Sequence, residues 1–310
     1  MIEAKPCRLC PRLCGADRAA GERGFCGMGE EPVVARAALH FWEEPCISGT
    51  RGSGAVFFSG CTLACRYCQN YEISRGKKGT AISVRRLSEI FRELEEQGAH
   101  NINLVTGTQF VPAILEALAL RRPRVPVVWN SSGYERVETL RMLEGFVDVY
   151  LPDMKYWNPR MGALLSGAAD YPETAKSAIA EMLRQTGPAV YDADGMLIRG
   201  TQLRHLVLPG LTADAMRILT WVKDCLPGVS VSLMGQYVPC GEAERIPGMN
   251  RRLTAREYER VAAHMRAIGL PGYRQLPASA SCEYVPAFDG TGLTHRCGGP
   301  PFPGKLGREE

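Results

Sequence analysis

The sequence is poor in histidine, in excess charge and in long apolar runs, and each shortage excludes a class of function. Its five histidines are scattered and show no spacing typical of a zinc enzyme. The formal net charge is +4 without a concentrated basic block, so no nucleic-acid partner is predicted. No apolar run is long enough to span a bilayer, so no membrane partner is predicted. The histidines are His40, His100, His205, His264 and His295.

Cysteine, in contrast, is abundant, with twelve residues in a chain of 310. The first residues, Met1 to Cys7, lack the charged and apolar regions of a signal peptide, and we expect a cytoplasmic protein. In a reducing compartment cysteines serve as metal ligands more often than they form disulfides. The spacing of the cysteines is therefore the first indication of a metal site.

Three cysteines follow one another closely in the run 59–70. This cysteine triplet consists of Cys61, Cys65 and Cys68, spaced C-x3-C-x2-C. A [4Fe–4S] cluster normally takes four thiolates, so three thiolates leave one iron open for a cofactor. The alternatives are a zinc site or buried free thiols. Zinc prefers four ligands, usually in two separated pairs, and fits a tight triplet poorly.

The run that contains the triplet, with Tyr67 just before its last cysteine, resembles the signature of radical S-adenosylmethionine (SAM) enzymes. The resemblance implies that the open iron binds the amino and carboxylate groups of SAM. It also implies that the reduced cluster passes one electron to SAM, which yields a 5′-deoxyadenosyl radical that abstracts a hydrogen atom. In such enzymes the aromatic residue of the motif packs near the adenine. An ordinary core position is the alternative for Tyr67.

From Ser53 onward, short apolar runs of strand type alternate with amphipathic stretches of helix type. Near-continuous apolar strands separated by helices predict parallel strands buried on both faces. Six such units predict an α/β fold, a (β/α)6 partial barrel, with the closed eight-unit barrel as the alternative. The triplet follows the first strand, so it lies at the carboxyl ends of the strands, where ligands bind. The predicted strands are 55–59, 102–106, 125–130, 147–152, 203–209 and 229–234, and the predicted helices are 84–97, 110–121, 135–144, 173–186, 213–225 and 254–268.

Two flanking segments lack this alternation. Residues 1–50 are rich in cysteine, glycine, proline and charge, and they are predicted to form a metal-binding segment. Residues 51–270 form the predicted barrel, and residues 271–310 form a proline- and glycine-rich extension that covers it. Within the barrel, residues 190–198 are predicted to be a β-hairpin or an excursion with an Asp-Gly turn.

Four further cysteines lie in the leader, residues 7–27, in the pattern C-x2-C-x3-C-x11-C. These leader cysteines are Cys7, Cys10, Cys14 and Cys26. Two occupants fit them: a structural zinc ion that folds a coreless segment, or an auxiliary [4Fe–4S] cluster. Reduced thiols in a disordered leader are the remaining alternative. Of the other cysteines, Cys46 is predicted to be a plain thiol, Cys225 to lie in a helix core, and Cys240, Cys282 and Cys297 to lie in loops.

Beyond the triplet, the chain resembles a branch of radical SAM proteins similar to the pyruvate formate-lyase activating enzyme. The resemblance runs from Cys7 to about Gly292 and rests on the order of several short segments. These segments are 7–14, 21–27, 40–46, 151–155, 204–210 and 233–237. The resemblance implies a glycine of a glycyl-radical enzyme as one candidate hydrogen donor, beside other peptides or a small metabolite. It also implies an electron donor of the flavodoxin or ferredoxin type.

Polar residues at the second and third strand ends are candidate contacts to SAM. Members of the wider superfamily often carry Gly-Gly-Glu at the second strand end, where the glutamate holds the amino group of SAM. Here Thr106 lies in the run Val-Thr-Gly-Thr-Gln, which offers hydroxyls and carbonyls but no carboxylate. At the third strand end the candidates are Asn130 and Ser132, and a helix N-cap is the alternative.

The fourth and fifth strand ends supply the remaining candidates. Asp153 and Lys155 match the Asp-Leu-Lys run with which the activating enzymes contact SAM, and a surface ion pair is the alternative. Arg204 and His205 are adjacent, so only one of them faces the barrel interior. His205 resembles the histidine that lies near the methionine moiety of SAM in the activating enzymes, and a core histidine is the alternative. Gln236 and Tyr237 end the sixth strand and are candidates for the substrate mouth.

These patterns predict an enzyme that cleaves SAM reductively and abstracts a hydrogen atom from a protein, a peptide or a small molecule. The alternative from another class is a non-catalytic iron–sulfur or zinc protein that carries electrons or acts as a sensor. An open-iron triplet beside Asn130, Asp153 and His205 favours the enzyme.

Overall fold

A computed structural model describes residues 6–275 and 285–294. The strands are β1 (Val33–His40), β2 (Ser53–Phe58), β3 (Thr80–Ala81), β4 (Ile102–Val105), β5 (Val127–Ser131), β6 (Val149–Pro152), β7 (Val190–Tyr191), β8 (Leu197–Leu206), β9 (Ser230–Met234) and β10 (Gly272–Gln275). The helices are α1 (Pro45–Ser48), α2 (Tyr71–Ser74), α3 (Val84–Glu96), α4 (Val111–Leu120), α5 (Val137–Met142), α6 (Pro159–Ser166), α7 (Tyr171–Thr186), α8 (Thr212–Cys225) and α9 (Ala255–Ala267). Two 3₁₀ turns lie at Thr108–Phe110 and Ala243–Arg245. Within these described ranges no helix is both long and apolar enough to cross a membrane.

The main sheet follows the order β10-β9-β8-β6-β5-β4-β2-β1-β3, and β7 pairs with β8. The strands from β2 to β10 along this path are all parallel to their neighbours. The path has two ends, at β10 and at β3, so the sheet is a partial rather than a closed barrel. This confirms the predicted α/β fold with a mostly parallel sheet, and it places the carboxyl ends of the strands on one side.

All six predicted strand–helix units are present, and β10 adds one more parallel strand beside β9. β10 lies in the range that was predicted to be an irregular extension. Its four residues, Gly-Tyr-Arg-Gln, are exposed or half-buried and hold no apolar run. The sequence pattern therefore carries no strand signal there, and the pairing with β9 decides the conformation.

A second strand, β1, lies inside the segment that was predicted to be organised by metal. It pairs antiparallel with β2, from Val34 opposite Phe58 to His40 opposite Ser53. The register shifts between Val34 and Arg36, which interrupts the period of two by which strands are predicted. Part of the segment 1–50 therefore belongs to the same sheet as the barrel.

The segment between β1 and β2 fills the barrel from the amino ends of the strands. His40, the last residue of β1, is paired with the first residue of β2. From there the chain enters the barrel, and α1 packs Cys46 and Ile47 against Val128 and Leu151 on the inner face of the sheet. The barrel interior near the amino ends of the strands is thus a packed core.

Residues 285–294 lie along β1 and belong to the predicted C-terminal extension. The amide of Ala37 donates to the Thr291 carbonyl at 2.9 Å, and the Gly290 amide donates to Ala35. Phe288 packs edge-on against Phe57, with ring centroids 5.6 Å apart. This part of the extension therefore packs on the barrel. The predictions for Cys282, Cys297 and His295 concern positions outside the described residues.

The predicted hairpin is confirmed. β7 and β8 pair antiparallel, with Val190 opposite Arg199. Gly195 has φ of 76°, a left-handed conformation that glycine adopts without strain, and Asp192 accepts hydrogen bonds from Asp194 and Met196.

Arg86 on α3 holds the 285–294 segment, and this contact gives a test of the fold. Its guanidinium pairs with Glu93 at 2.6 Å and donates to the carbonyl of Leu293 at 3.0 Å. We expect Arg86→Ala to lower the free energy of unfolding by about 3 kcal/mol, because a mostly buried ion pair loses one partner. The exposed Arg92 on the same helix is the control, and Arg92→Ala should cost less than about 0.5 kcal/mol. Equal urea midpoints for the two variants would contradict this role of Arg86.

Candidate metal and cofactor site

The cysteine triplet lies in a loop that follows β2 directly. Gly60 and Ala64 both have positive φ, 76° and 54°, and these two turns fold the loop back on itself. The Ala64 amide points at the Cys61 sulfur at 3.4 Å. Cys65 is buried, whereas Cys61 and Cys68 are half-buried. The loop therefore offers its sulfurs at the carboxyl end of the first parallel strand, as predicted from the sequence.

Burial favours the protonated form of the Cys61 and Cys68 thiols of the triplet when no metal is bound. Burial, together with the neighbouring Cys65 sulfur, raises the pKa of Cys61 to about 12. Burial also raises the pKa of Cys68, against a smaller lowering by Lys155. Thiolates at such a site need a strong counter-cation, which bound iron supplies while the thiol protons are released.

The triplet is not arranged around a single metal ion. Across the described parts of the chain, no three His, Cys, Asp or Glu side chains close around a point as the ligands of one ion would. In a [4Fe–4S] cluster each thiolate binds its own iron, so the sulfurs need not converge. The three cysteines would hold such a cluster and leave its fourth iron open.

Charged side chains from several elements hold the loop. Arg12 of the leader donates to the carbonyls of Thr62 at 3.0 Å and Leu63 at 3.1 Å. Arg75, just after α2, donates to the Ala64 carbonyl at 2.9 Å. Arg12 also donates to Ser166 at the end of α6. Guanidinium groups thus satisfy three carbonyls of the loop, at Thr62, Leu63 and Ala64.

Gln109 joins the first two strand ends. Its side-chain amide donates to Ser59 at 2.9 Å and to Thr106 at 2.8 Å. Thr106 has φ of 60°, a left-handed conformation that is costly for a branched residue, and its amide donates to the Asn130 carbonyl. Thr106 is therefore held in place beside the triplet loop, with its carbonyl occupied by Gln109.

Five polar residues form an inner polar network on the inward face of the sheet. Its members are Glu43, Asn130, Asp153, Lys155 and Arg204. The Arg204 guanidinium donates to Asp153 at 2.8 Å and to Asn130 at 2.7 Å, and it pairs with Glu43 at 3.1 Å. Lys155 pairs with Asp153 at 2.6 Å. Asp153 and Lys155 are thus partners in a buried network, and not in a surface ion pair.

The network keeps Asp153 ionised although its side chain is only 14% exposed. Burial alone raises the pKa of Asp153, but the charges of Arg204 and Lys155 outweigh this effect and leave the pKa below its usual value. Lys155 is also an electrostatic neighbour of Cys65 and Cys68. The inner polar network therefore extends to the triplet.

Glu43 is the member of the network that sequence reasoning missed. It comes from the segment that enters the barrel before α1, and its side chain is 11% exposed. The neighbouring Glu44 is also buried, and burial with the nearby Glu43 charge raises its pKa to about 7, against the Arg204 charge. Two consecutive carboxylates in a buried segment were the available signal, because such groups need partners.

Arg204, rather than His205, faces the barrel interior. The His205 ring lies on the opposite side of β8, with Nδ1 2.6 Å from the Met154 carbonyl. Its neighbours Leu203 and Val207 on the same side pack in the core between sheet and helices. This placement favours the core-histidine alternative over the predicted contact of His205 with SAM.

Ser132 and Tyr67 have different surroundings. α5 begins only at Val137, after Arg136, so the stretch around Ser132 is not the N-cap of that helix. The Ser132 carbonyl accepts from Tyr171 at 2.8 Å, and the residue is half-buried. Tyr67 is buried among tyrosines; its hydroxyl accepts from Tyr156 at 2.9 Å. This surrounding fits the core-aromatic alternative for Tyr67.

The remaining cysteines and the sixth strand end differ partly from prediction. Cys46 is a buried thiol that donates to Gln202 at 3.2 Å, as predicted for a plain thiol. Cys225 is exposed at the end of α8, so its predicted place in the core is wrong. Tyr237 is buried against Tyr67 and donates to Met249, which argues against a place at the substrate mouth.

The model of the Radical SAM superfamily matches residues 55–222, which is more than half of the chain. The chain is also 31% identical over 268 residues to the uncharacterized protein MJ0674 of Methanocaldococcus jannaschii, covering 83% of this chain and 73% of that protein.

Two solved structures are similar in fold. A radical SAM methyltransferase from Sphaerobacter thermophilus aligns with a TM-score of 0.50 and 16% identity, over 72% of this chain and 66% of that one. SuiB of Streptococcus suis aligns with a TM-score of 0.46 and 9% identity, over 72% of this chain and 47% of that one. The chain thus spans less than two thirds of either protein, and the first likeness concerns the fold alone.

The inner polar network gives a test by stability and pH. Arg204→Met removes the cation between Glu43 and Asp153, and we expect a loss of about 3–5 kcal/mol of unfolding free energy at pH 8. The loss should shrink toward pH 5, because without Arg204 burial raises the carboxyl pKa values and protonation then relieves the unpaired charge. Urea denaturation at both pH values measures this. Arg85→Met, at an exposed position of α3, is the control and should be near neutral. A loss that is the same at pH 5 and pH 8 would contradict the ion-pair account.

Proposed function

Because this chain belongs to the radical SAM superfamily, we propose that it is an enzyme that cleaves SAM and abstracts a hydrogen atom from a second substrate. A [4Fe–4S] cluster held by the cysteine triplet, when bound, supplies the electron with which SAM is cleaved to methionine and the 5′-deoxyadenosyl radical. The observation that carries the proposal is the inner polar network beside a triplet of thiols that can leave one iron open.

The chain's own residues are proposed to bind and orient SAM. The methionine end of SAM carries an ammonium and a carboxylate, and Lys155 with Asp153 presents both complementary charges next to the triplet. Asn130 lies within the same network, held by Arg204 at 2.7 Å. Such a fixed set of charges orients SAM without the reorganisation that water would require.

Thr106 and Ser132 are proposed to bound the pocket on the side of the second and third strand ends. The Thr106 carbonyl is bound by Gln109, so we assign its hydroxyl as the group that faces SAM. Ser132 keeps its place through its carbonyl, which accepts from Tyr171. Because no carboxylate lies in the run 105–109, Asp153 takes the role of the anionic partner of the SAM ammonium.

The hydrogen donor is proposed to reach the site from the carboxyl ends of the strands. The amino-end side of the barrel is filled by α1, and residues 285–294 occupy β1. The leader packs beside the triplet loop through Arg12. These neighbours favour a small molecule or a short peptide, while the Asp153–Lys155 run keeps a glycine of a glycyl-radical enzyme as the second candidate.

The cofactor requirements suggest the chain's partners and surroundings. We propose an electron donor of the flavodoxin or ferredoxin type, because the cluster needs one electron for each SAM cleaved. A reducing compartment such as the cytoplasm suits the free thiols of the described residues. We also propose that the leader cysteines hold a second metal.

Anaerobic SAM cleavage is the test of this proposal. The full chain is reconstituted with iron and sulfide, reduced with dithionite and incubated with SAM, and 5′-deoxyadenosine is quantified. We expect 5′-deoxyadenosine from the wild type and a loss of at least about 100-fold in Cys65→Ala, because a missing thiolate removes the cluster ligand set. Cys225→Ala, at an exposed position of α8, is the control and should cleave SAM like the wild type. A fully loaded wild type that makes no 5′-deoxyadenosine would exclude the enzyme.

A further inference from the structure

The four leader cysteines lie near one another in the fold. Cys10 is an electrostatic neighbour of Cys7 and Cys26, and Cys26 in turn is a neighbour of Cys7 and Cys14. Gly24 makes room for this grouping, since a Cβ at that position would lie 2.5 Å from the Cys14 sulfur. Cysteines spread over twenty residues are thus neighbours in the fold.

A buried cation lies beside the leader cysteines without enough hydrogen-bond partners. Arg18 is only 6% exposed, and its Nη1 lies 4.0 Å from the Cys7 sulfur and 2.6 Å from the Gln109 carbonyl. Its Nε and Nη2 find no hydrogen-bond partner among the described residues. Arg18 also acts electrostatically on Cys26. A buried guanidinium with two open N–H groups beside the Cys7 sulfur needs an anionic group with further acceptors.

The occupant can be chosen by geometry and by acceptor chemistry. A single zinc ion needs its four sulfurs to converge, yet in the described residues no three such ligands close around one point. The same holds for the cysteine triplet, which is the cluster motif of the family: its cysteines do not close around one point either. A [4Fe–4S] cluster also brings sulfides that accept hydrogen bonds, which zinc does not, and these suit the open N–H groups of Arg18.

The leader is docked on the loop that carries the triplet. Between Cys10 and Cys14 lies Arg12, whose side chain donates to the carbonyls of Thr62 and Leu63 inside the triplet loop. Through Gln109, Arg18 reaches the end of β2, because the Gln109 side chain donates to Ser59. No helix or strand lies within residues 7–27, so hydrogen bonds, packing and the occupant must hold this segment.

We propose that the leader cysteines bind a second [4Fe–4S] cluster, with all four irons ligated by thiolates, packed against the triplet loop. This inference rests on the proposed second metal site and names its occupant. It does not depend on SAM cleavage. Arg18 is proposed to be a positioning residue that donates to the sulfides of this cluster.

Metal analysis of a full-length variant without the triplet cysteines, here called the leader-only protein, tests the inference without disturbing the leader. The variant Cys61→Ala/Cys65→Ala/Cys68→Ala of the full chain keeps the leader cysteines and loses the triplet. After anaerobic reconstitution with iron and sulfide in the presence of equimolar zinc, we expect about four iron and four sulfide per chain and no zinc. We expect about eight iron per chain in the wild type and in the control Cys225→Ala. Mössbauer spectra should assign the iron of the leader-only protein to a [4Fe–4S] cluster.

The reciprocal variant Cys10→Ala/Cys14→Ala should retain about four iron per chain, with the cluster on the triplet. Arg18→Met should shift the reduction potential of the leader-only cluster, while Arg18→Lys should restore it in part, because hydrogen bonds to cluster sulfur tune the potential. One zinc per leader-only chain would overturn the cluster while leaving a second metal site in place. No metal in that protein would overturn both, and neither result would bear on SAM cleavage by the wild type.

Discussion

The arrangement of the site depends on the buried guanidinium of Arg204. This one side chain binds Glu43 from the segment that enters the barrel, Asn130 from β5 and Asp153 after β6. Burying a charge is costly, and two carboxylates and an amide on one guanidinium offset that cost with directed hydrogen bonds. Asp153 is thereby fixed and ionised, and Lys155 pairs with it at the edge of the triplet. The charges that we assign to SAM recognition all follow from this contact.

The parallel sheet explains why these groups meet. Parallel strands bring their carboxyl ends to one side, so the loop after β2 and the residues that end β4, β5 and β6 share that side. Gln109 ties the first two ends together, and Arg12 brings the leader onto the loop. The leader thus packs against the loop that carries the triplet. Any occupant of the leader cysteines therefore lies close to the cluster that we propose for the triplet.

Much of this arrangement was accessible from local patterns. The spacing of the cysteines identified the triplet, and near-continuous apolar runs identified the parallel strands. Asp153 and Lys155 followed from their position at a strand end. The contacts that the sequence analysis missed join residues distant in sequence. Glu43 pairs with Arg204 across 161 residues, and Arg12 donates to Ser166 across 154. Which of Arg204 and His205 faces the barrel interior depends on the register of β8 with its neighbours. The bulge in β1 interrupts the alternation of apolar and polar residues by which that strand would have been predicted.

The binding of SAM beside the open iron is tested most directly by EPR spectroscopy of the reduced protein. The protein is reduced by one electron at the triplet cluster, in a Cys10→Ala/Cys14→Ala background that removes the leader ligands, and is titrated with SAM. We predict that SAM changes the spectrum and that Lys155→Met needs roughly tenfold more SAM for the same change, because a charged partner of the SAM carboxylate is lost. A spectrum that stays unchanged at saturating SAM, with the triplet cluster fully loaded, would contradict the assignment of this site.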